Sequence, residues 1–159
     1  MSKAFIHNTL RNAGRTDAQT LRAEAAAGRV TDTEIIDREE AVPAWSNTSD
    51  YSACPVGTPV THDGQVYGLL QPHNAAFYPD TNPAMLAALW RVKHTTNPDK
   101  AKPWVKPTST SDMYRVGECM IWTDGATMRA LRDTIYSPTE YAGDWETVTI
   151  KPGTTETEA

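Results

Sequence analysis

Apolar and polar positions alternate with a period of two on either side of two Asp-Gly pairs. Residues 59–62 and 66–70 flank Asp63-Gly64, and residues 119–122 and 127–131 flank Asp124-Gly125. Period-two alternation puts one face of a strand against a core. Asp and Gly tolerate the positive φ that both central positions of a tight hairpin turn require. Each pattern therefore predicts a hairpin, with a third short strand around Trp90 in the first case and Trp145 in the second. Upstream the pattern turns helical. Thr16 with Gln19, and Thr31 with Glu34, fit the capping box in which a hydroxyl caps the helix start and the third residue caps back. They predict helices over 17–27, ended by Gly28, and over 32–41, stopped by Pro43. Leu21 with Ala18 and Ala25, and Ile35 with Ile36, are their apolar content. Helices this short do not hold alone in water, so they must dock on the rest of the chain, on sister subunits or on a larger assembly.

The two hairpins belong to two copies of one plan, 43–92 and 102–148. In each, a Pro precedes a Trp (Trp45, Trp104), a Tyr follows (Tyr51, Tyr114), and then come a Val-Gly pair (Val56-Gly57, Val116-Gly117), the hairpin, a Tyr closely followed by Pro (Tyr78-Pro79; Tyr136 with Pro138) and a closing Trp. The second copy carries one residue more between its glycines, which predicts a bulge around 119–122. The chain then divides into a helical attachment or oligomerisation segment (1–42), a first module (43–92), a linker (93–101), a second module (102–150) and a disordered tail (151–159).

Composition alters this picture in one respect. Leu, Ile, Val and Phe make up only about 15% of the 159 residues, a value typical of disorder when net charge is high. Net charge is only −5, and the aromatics crowd between Trp45 and Trp145, so the cores are expected to be aromatic; large rings let so small a unit bury enough surface. Trp45, Trp90, Trp104, Trp145, Tyr51, Tyr67 and Tyr114 sit at framework positions and are read as core. No apolar run approaches the roughly 20 residues of a membrane span, and the amino terminus lacks the apolar stretch of a secretory signal. The acidic balance argues against nucleic acid. Cys54 and Cys119 read as free thiols, and His7, His62, His73 and His94 lack zinc-ligand spacing. No nucleophile elbow or phosphate-binding glycine loop is present. Asp63, Asp124 and Glu146 do not make a hydrolase pair, two of them being turn residues. The expectation is no enzyme, no metal and no cofactor.

The order Trp, Tyr, Gly, Val, Asp-Gly, Tyr, aromatic-Pro, Trp resembles the small chitin- and cellulose-binding modules of bacterial chitinases and cellulases. The stretch 40–92 is similar to carbohydrate-binding-like repeats of tailed-phage structural proteins, in which a helical lead such as VTDTEIIDREEAVPAW runs into a module ending in ALW. The resemblance covers about 105 residues plus the lead. It implies a mainly β chain of two small three-stranded, aromatic-cored carbohydrate-binding-like modules in tandem after a short helical segment. It further implies a virion protein of the tail or a fibre, made in the host cytoplasm, that binds host-surface polysaccharide.

Flat rings cover the CH faces of sugars while amides and imidazoles satisfy hydroxyls. In QPHNAAFYP, Phe77 and Tyr78 are candidate platforms, with Gln71, His73 and Asn74 as hydrogen-bonding partners; the alternative for Tyr78 is packing in its own loop beside Pro79. Tyr136 takes the equivalent place in the second copy, and Trp122 stands next to the expected bulge. The second copy has Met128 where the first has Tyr67, and Ile135 where the first has Phe77. Expected partners are a cell-surface glycan, other virion proteins through the N-terminal segment, and further copies of the chain. Two rival readings are a virion assembly or spacer protein without a glycan ligand, and a detached module of a secreted chitinase.

Overall fold

Asp63 (φ 49°) and Gly64 (φ 79°) are both left-handed, and the two-residue turn they form closes strand β1 (Pro59–His62) onto β2 (Gln65–Leu69), with His62 opposite Gln65. The closing tryptophan starts β3 (Trp90–Val92), antiparallel to β2 with Trp90 opposite Leu69. The computed structural model describes residues 20, 21, 23–25, 28 and 30–149. The chain falls into two compact units, Met1–Lys93 and His94–Ala159. The capping box at Thr16, most of the expected 17–27 helix and the 151–159 tail lie outside the described residues.

In the second unit the hairpin pairs β5 (Cys119–Ile121) with β6 (Thr127–Ala130), and β7 (Trp145–Thr147) follows, with Trp145 opposite Ala130. Two expectations are corrected here. The sheet has four strands, because β4 (Lys102–Pro103) adds in parallel to β5; the first sheet keeps three, and the corresponding contact there is the single parallel bridge of Ala44 with Thr61. The extra residue does not bulge the strand, where Cys119, Met120 and Ile121 pair in unbroken register. It lengthens the turn: Gly125 N–H donates to Trp122 O, Trp122 N–H to Ala126 O, and among these residues Gly125 alone has positive φ (88°). This is a three-residue loop closed by a left-handed glycine.

The same backbone hydrogen bonds recur in each unit. Trp45 N–H donates to Thr61 O and Trp104 N–H to Ile121 O; Gly57 N–H to Leu69 O and Gly117 N–H to Ala130 O; Leu70 N–H to Leu89 O and Leu131 N–H to Asp144 O. The buried phenols repeat as well, Tyr51 OH accepting from Ser46 N–H and Tyr114 OH from Val105 N–H. Tyr51 N–H donates to His73 O and Tyr114 N–H to Thr134 O. His73 therefore corresponds to Thr134, and Tyr136, two residues further on, aligns with Ala75 rather than with Tyr78.

Tyr51, Tyr67, Tyr114, Trp90 and Trp145 are buried, whereas Trp45 and Trp104 are only half-buried. The second core gathers Tyr114, Met120, Ala130 and Trp145, with Trp104, Trp122 and Met128 packed on it. Trp104 stacks on Tyr114 at 5.2 Å and meets Trp145 edge-on at 5.9 Å; such pairs add about 0.5–1.5 kcal/mol each beyond the area they bury. Residues 93–101, expected as a linker, carry built structure in the second unit from His94 on: Cys119 N–H donates to Thr95 O, and Asn97 caps the 3-10 turn Pro98–Lys100.

The Thr31–Glu34 capping box forms, with Thr31 Oγ1 accepting from Glu34 N–H at 3.1 Å and Glu34 Oε1 from Thr31 N–H at 2.9 Å. The helix it starts ends early, as Asp32–Asp37, and a 3-10 turn Glu39–Ala41 replaces its last part. The acids Asp37, Glu39 and Glu40 crowd the negative end of the helix dipole, which favours cations. Leu21, Ile35 and Ile36 pack with Val42 and with Val66 of β2, so the apolar faces of the lead dock on the first unit's own sheet. Asp32 clamps the junction, with its carboxylate 2.8 Å from Arg91 and 3.1 Å from Lys93. The Lys93 side chain lies against Gly68, where an added Cβ would come within 2.9 Å of its end.

Candidate functional site

SPTE, residues 137–140, is a short sequence whose ends cap each other. Ser137 N–H donates to Glu140 Oε1 at 3.0 Å, Glu140 N–H to Ser137 Oγ at 3.1 Å, and Tyr141 N–H closes the turn onto Ser137 O at 2.9 Å. The turn folds Tyr141 back on Tyr136, with ring centroids 5.1 Å apart and planes 35° from parallel. Both rings stay open to solvent, at 43% and 57% exposure. Tyr136 is fixed from behind: its N–H donates to Thr134 Oγ1, its carbonyl accepts from Trp145 Nε1 at 2.9 Å, and Thr134 Oγ1 donates to the buried Asp144 carboxylate at 2.7 Å.

These rings border an open cavity of about 320 Å³ lined also by Thr110, Met113, Arg132 and Asp133. Arg132 Nε is held 2.9 Å from Asp144 Oδ1. The Val116 N–H, and then Arg115, hold the Asp133 carboxyl below the usual carboxylate range, and the Ser137 N–H does the same for Glu140. The arrangement offers two adjacent ring faces, one anchored guanidinium and hydroxyls at the edge. It can stack against a flat, weakly polar ligand and hydrogen-bond its rim.

In the first unit Phe77 is 78% exposed and Tyr78 38%. His73 is buried, its Nδ1 donating to Gln71 O at 2.9 Å. Its ring meets Tyr78 edge-on at 5.6 Å and Trp90 at 5.5 Å. Its ring stands as a wedge between Tyr78 and the aromatic core, with Nδ1 already engaged. Asn74 Oδ1 accepts from Ala76 N–H and caps the turn Ala75–Phe77, while Gln71 is exposed and donates to Ala88 O. Trp122 is half-buried, edge-on to Trp104 at 5.8 Å; its ring belongs to the core cluster, not to the tyrosine cleft.

Tyr141 and Arg132 escaped the sequence reading. The signal for Tyr141 was the S-x-x-E pattern after Tyr136, the capping grammar already applied at Thr31. Among the described residues no group of three or more His, Cys, Asp or Glu is placed to hold a metal ion, and no helix is long and apolar enough to cross a membrane. No protein-family model matches the chain, and comparison with curated proteins returns no match.

Proposed function

We propose that the chain is a non-enzymatic polysaccharide-binding protein of a tailed-phage particle, each unit a carbohydrate-binding-like module that offers aromatic rings to a host-surface glycan. The observation that carries the binding reading is the Tyr136–Tyr141 pair, two half-exposed rings 5.1 Å apart held on a reciprocally capped turn. Exposed rings cost free energy in water, and fixing them in advance lowers the entropy lost on binding. Tyr78, braced by His73, gives the first unit a platform of its own. Contacts this few make each module weak, and many copies on one particle would raise the effective concentration. The virion setting rests on the resemblance of residues 40–92 to phage repeats.

Retention of the purified chain on capsular and cell-wall polysaccharides tests the binding reading. The chain is expected to be retained on at least one, with Tyr136→Ala combined with Tyr78→Ala abolishing retention while the circular dichroism spectrum stays unchanged. No retention on any glycan, or equal retention of the double variant, overturns it. Tail, baseplate or lysis genes beside the coding gene are expected for the virion setting, and a metabolic operon there ends it. A second reading, a virion assembly surface, is favoured by Phe77 and Met85, exposed to 78% and 62%. On that reading Phe77→Ser with Met85→Ser would block incorporation into particles, and the unaltered chain would be retained on no glycan.

A further inference from the structure

Arg132 borders the tyrosine cleft. Its Nε lies 2.9 Å from Asp144 Oδ1 and its side chain is 67% exposed, so the guanidinium is anchored on one side and largely open to solvent. The carboxylates around it are already engaged. Asp144 also accepts from Thr134, Asp133 accepts from Val116 N–H and Arg115, and Glu140 accepts from Ser137 N–H. These hydrogen bonds leave the carboxylates charged, so an incoming anion meets an oriented guanidinium beside two exposed rings and against nearby negative charge; a guanidinium fork matches the oxygens of a carboxylate or phosphate. The shared hydrogen bonds at Leu70 and Leu131 put Gln71 at the corresponding place in the first unit, a neutral side chain already donating to Ala88 O.

We propose that the Tyr136–Tyr141 cleft selects a sugar with an anionic substituent, the sugar ring stacking on the tyrosines and the anionic oxygens bound by the terminal nitrogens of Arg132. The proposal rests on the glycan-binding reading above and adds the charge class of the ligand. Anion selection then belongs to the second unit alone.

The test measures binding of the full chain to polygalacturonate, to a glycerol-phosphate teichoic acid and to neutral dextran, at low and high NaCl. At low salt one of the two anionic polymers is expected to bind about tenfold more tightly than dextran, since a single charge-assisted contact is at stake, and high salt should erase the difference. Preference between the two anionic polymers decides between carboxylate and phosphate. Arg132→Gln is expected to abolish the preference, and Tyr141→Ala to weaken binding of every polymer without changing the ratio. An unchanged ratio in Arg132→Gln, or dextran bound as tightly as both anionic polymers, overturns charge selection and leaves the glycan reading standing. Binding to none of the three also overturns it, and the separate retention assay then decides the glycan reading.

Discussion

Asp32→Asn removes the negative charge that holds the helical lead on the first unit's sheet. The Lys93 ammonium has its side chain 4% exposed and lies 3.1 Å from Asp32. At that distance the pair attracts by about 5 kcal/mol in a medium of effective dielectric about 20. Discharging an ordinary lysine at pH 7 instead would cost a similar amount, about 5 kcal/mol. Burial already lowers the Lys93 ammonium while Asp32 opposes it, so loss of Asp32 brings that discharge closer. Two features moderate the cost: an Asn oxygen still accepts a hydrogen bond, and Asp32 is 22% exposed, so water reaches it. The net expectation is about 3 kcal/mol, the low end for breaking a buried pair, or roughly 12–24 °C in melting temperature for a unit of this size. Urea titration read by amide exchange in peptides covering β1, β2 and β3 measures it. Adding Lys93→Met removes the orphaned cation, and the double variant should recover most of the loss.

The same pair sets a pH dependence. Burial raises the Asp32 carboxyl, but the Arg91 hydrogen bond and the charges of Lys93 and Arg91 outweigh it and leave the carboxyl below its ordinary value. The folded form is thus the stronger acid. Its stabilisation is complete above the unfolded carboxylate value of about 4 and is lost as pH falls through the lower folded value. Asp32→Asn should lack this acid-side component. A loss under about 1 kcal/mol, or a double variant no more stable than Asp32→Asn, would show that the cation is not confined as described.

Three further outcomes are expected. Tyr114→Phe leaves Val105 N–H without its acceptor and should cost about 1 kcal/mol; burial pushes the Tyr114 phenol up, so absorbance at alkaline pH should show one tyrosine titrating only on unfolding. Gly125→Ala meets open space but keeps φ at 88° and should destabilise the second unit by about 1 kcal/mol, whereas Gly143→Ala should be near neutral in the same denaturation assay. Ser137→Ala breaks the reciprocal cap under the tyrosine pair and should weaken polysaccharide retention severalfold while Glu140→Gln, which can still accept, weakens it less.

Much of the framework was legible because it is local. Alternation and Asp-Gly announced both hairpins, the closing tryptophans announced the third strands, and Thr31 with Glu34 announced a helix start; each depends on residues within a few positions of one another. Trp45 and Trp104 were harder, because a framework position says where the chain runs and not how far a ring sinks. The Tyr136–Tyr141 pair was half legible: the exposed Tyr136 was named, but its partner needed the capped turn to be recognised.

The sequence alone determined the repeated strand plan and its aromatic content, since period, turn chemistry and caps act over short distances and tolerate little else. Tertiary packing decided that β4 joins β5 in parallel, that His73 is a wedge and not a free imidazole, and that Asp32 meets Lys93 sixty-one positions along the chain. Those outcomes arise from contacts between distant residues competing for the same buried volume and the same charges, and no short-range pattern encodes which of them wins.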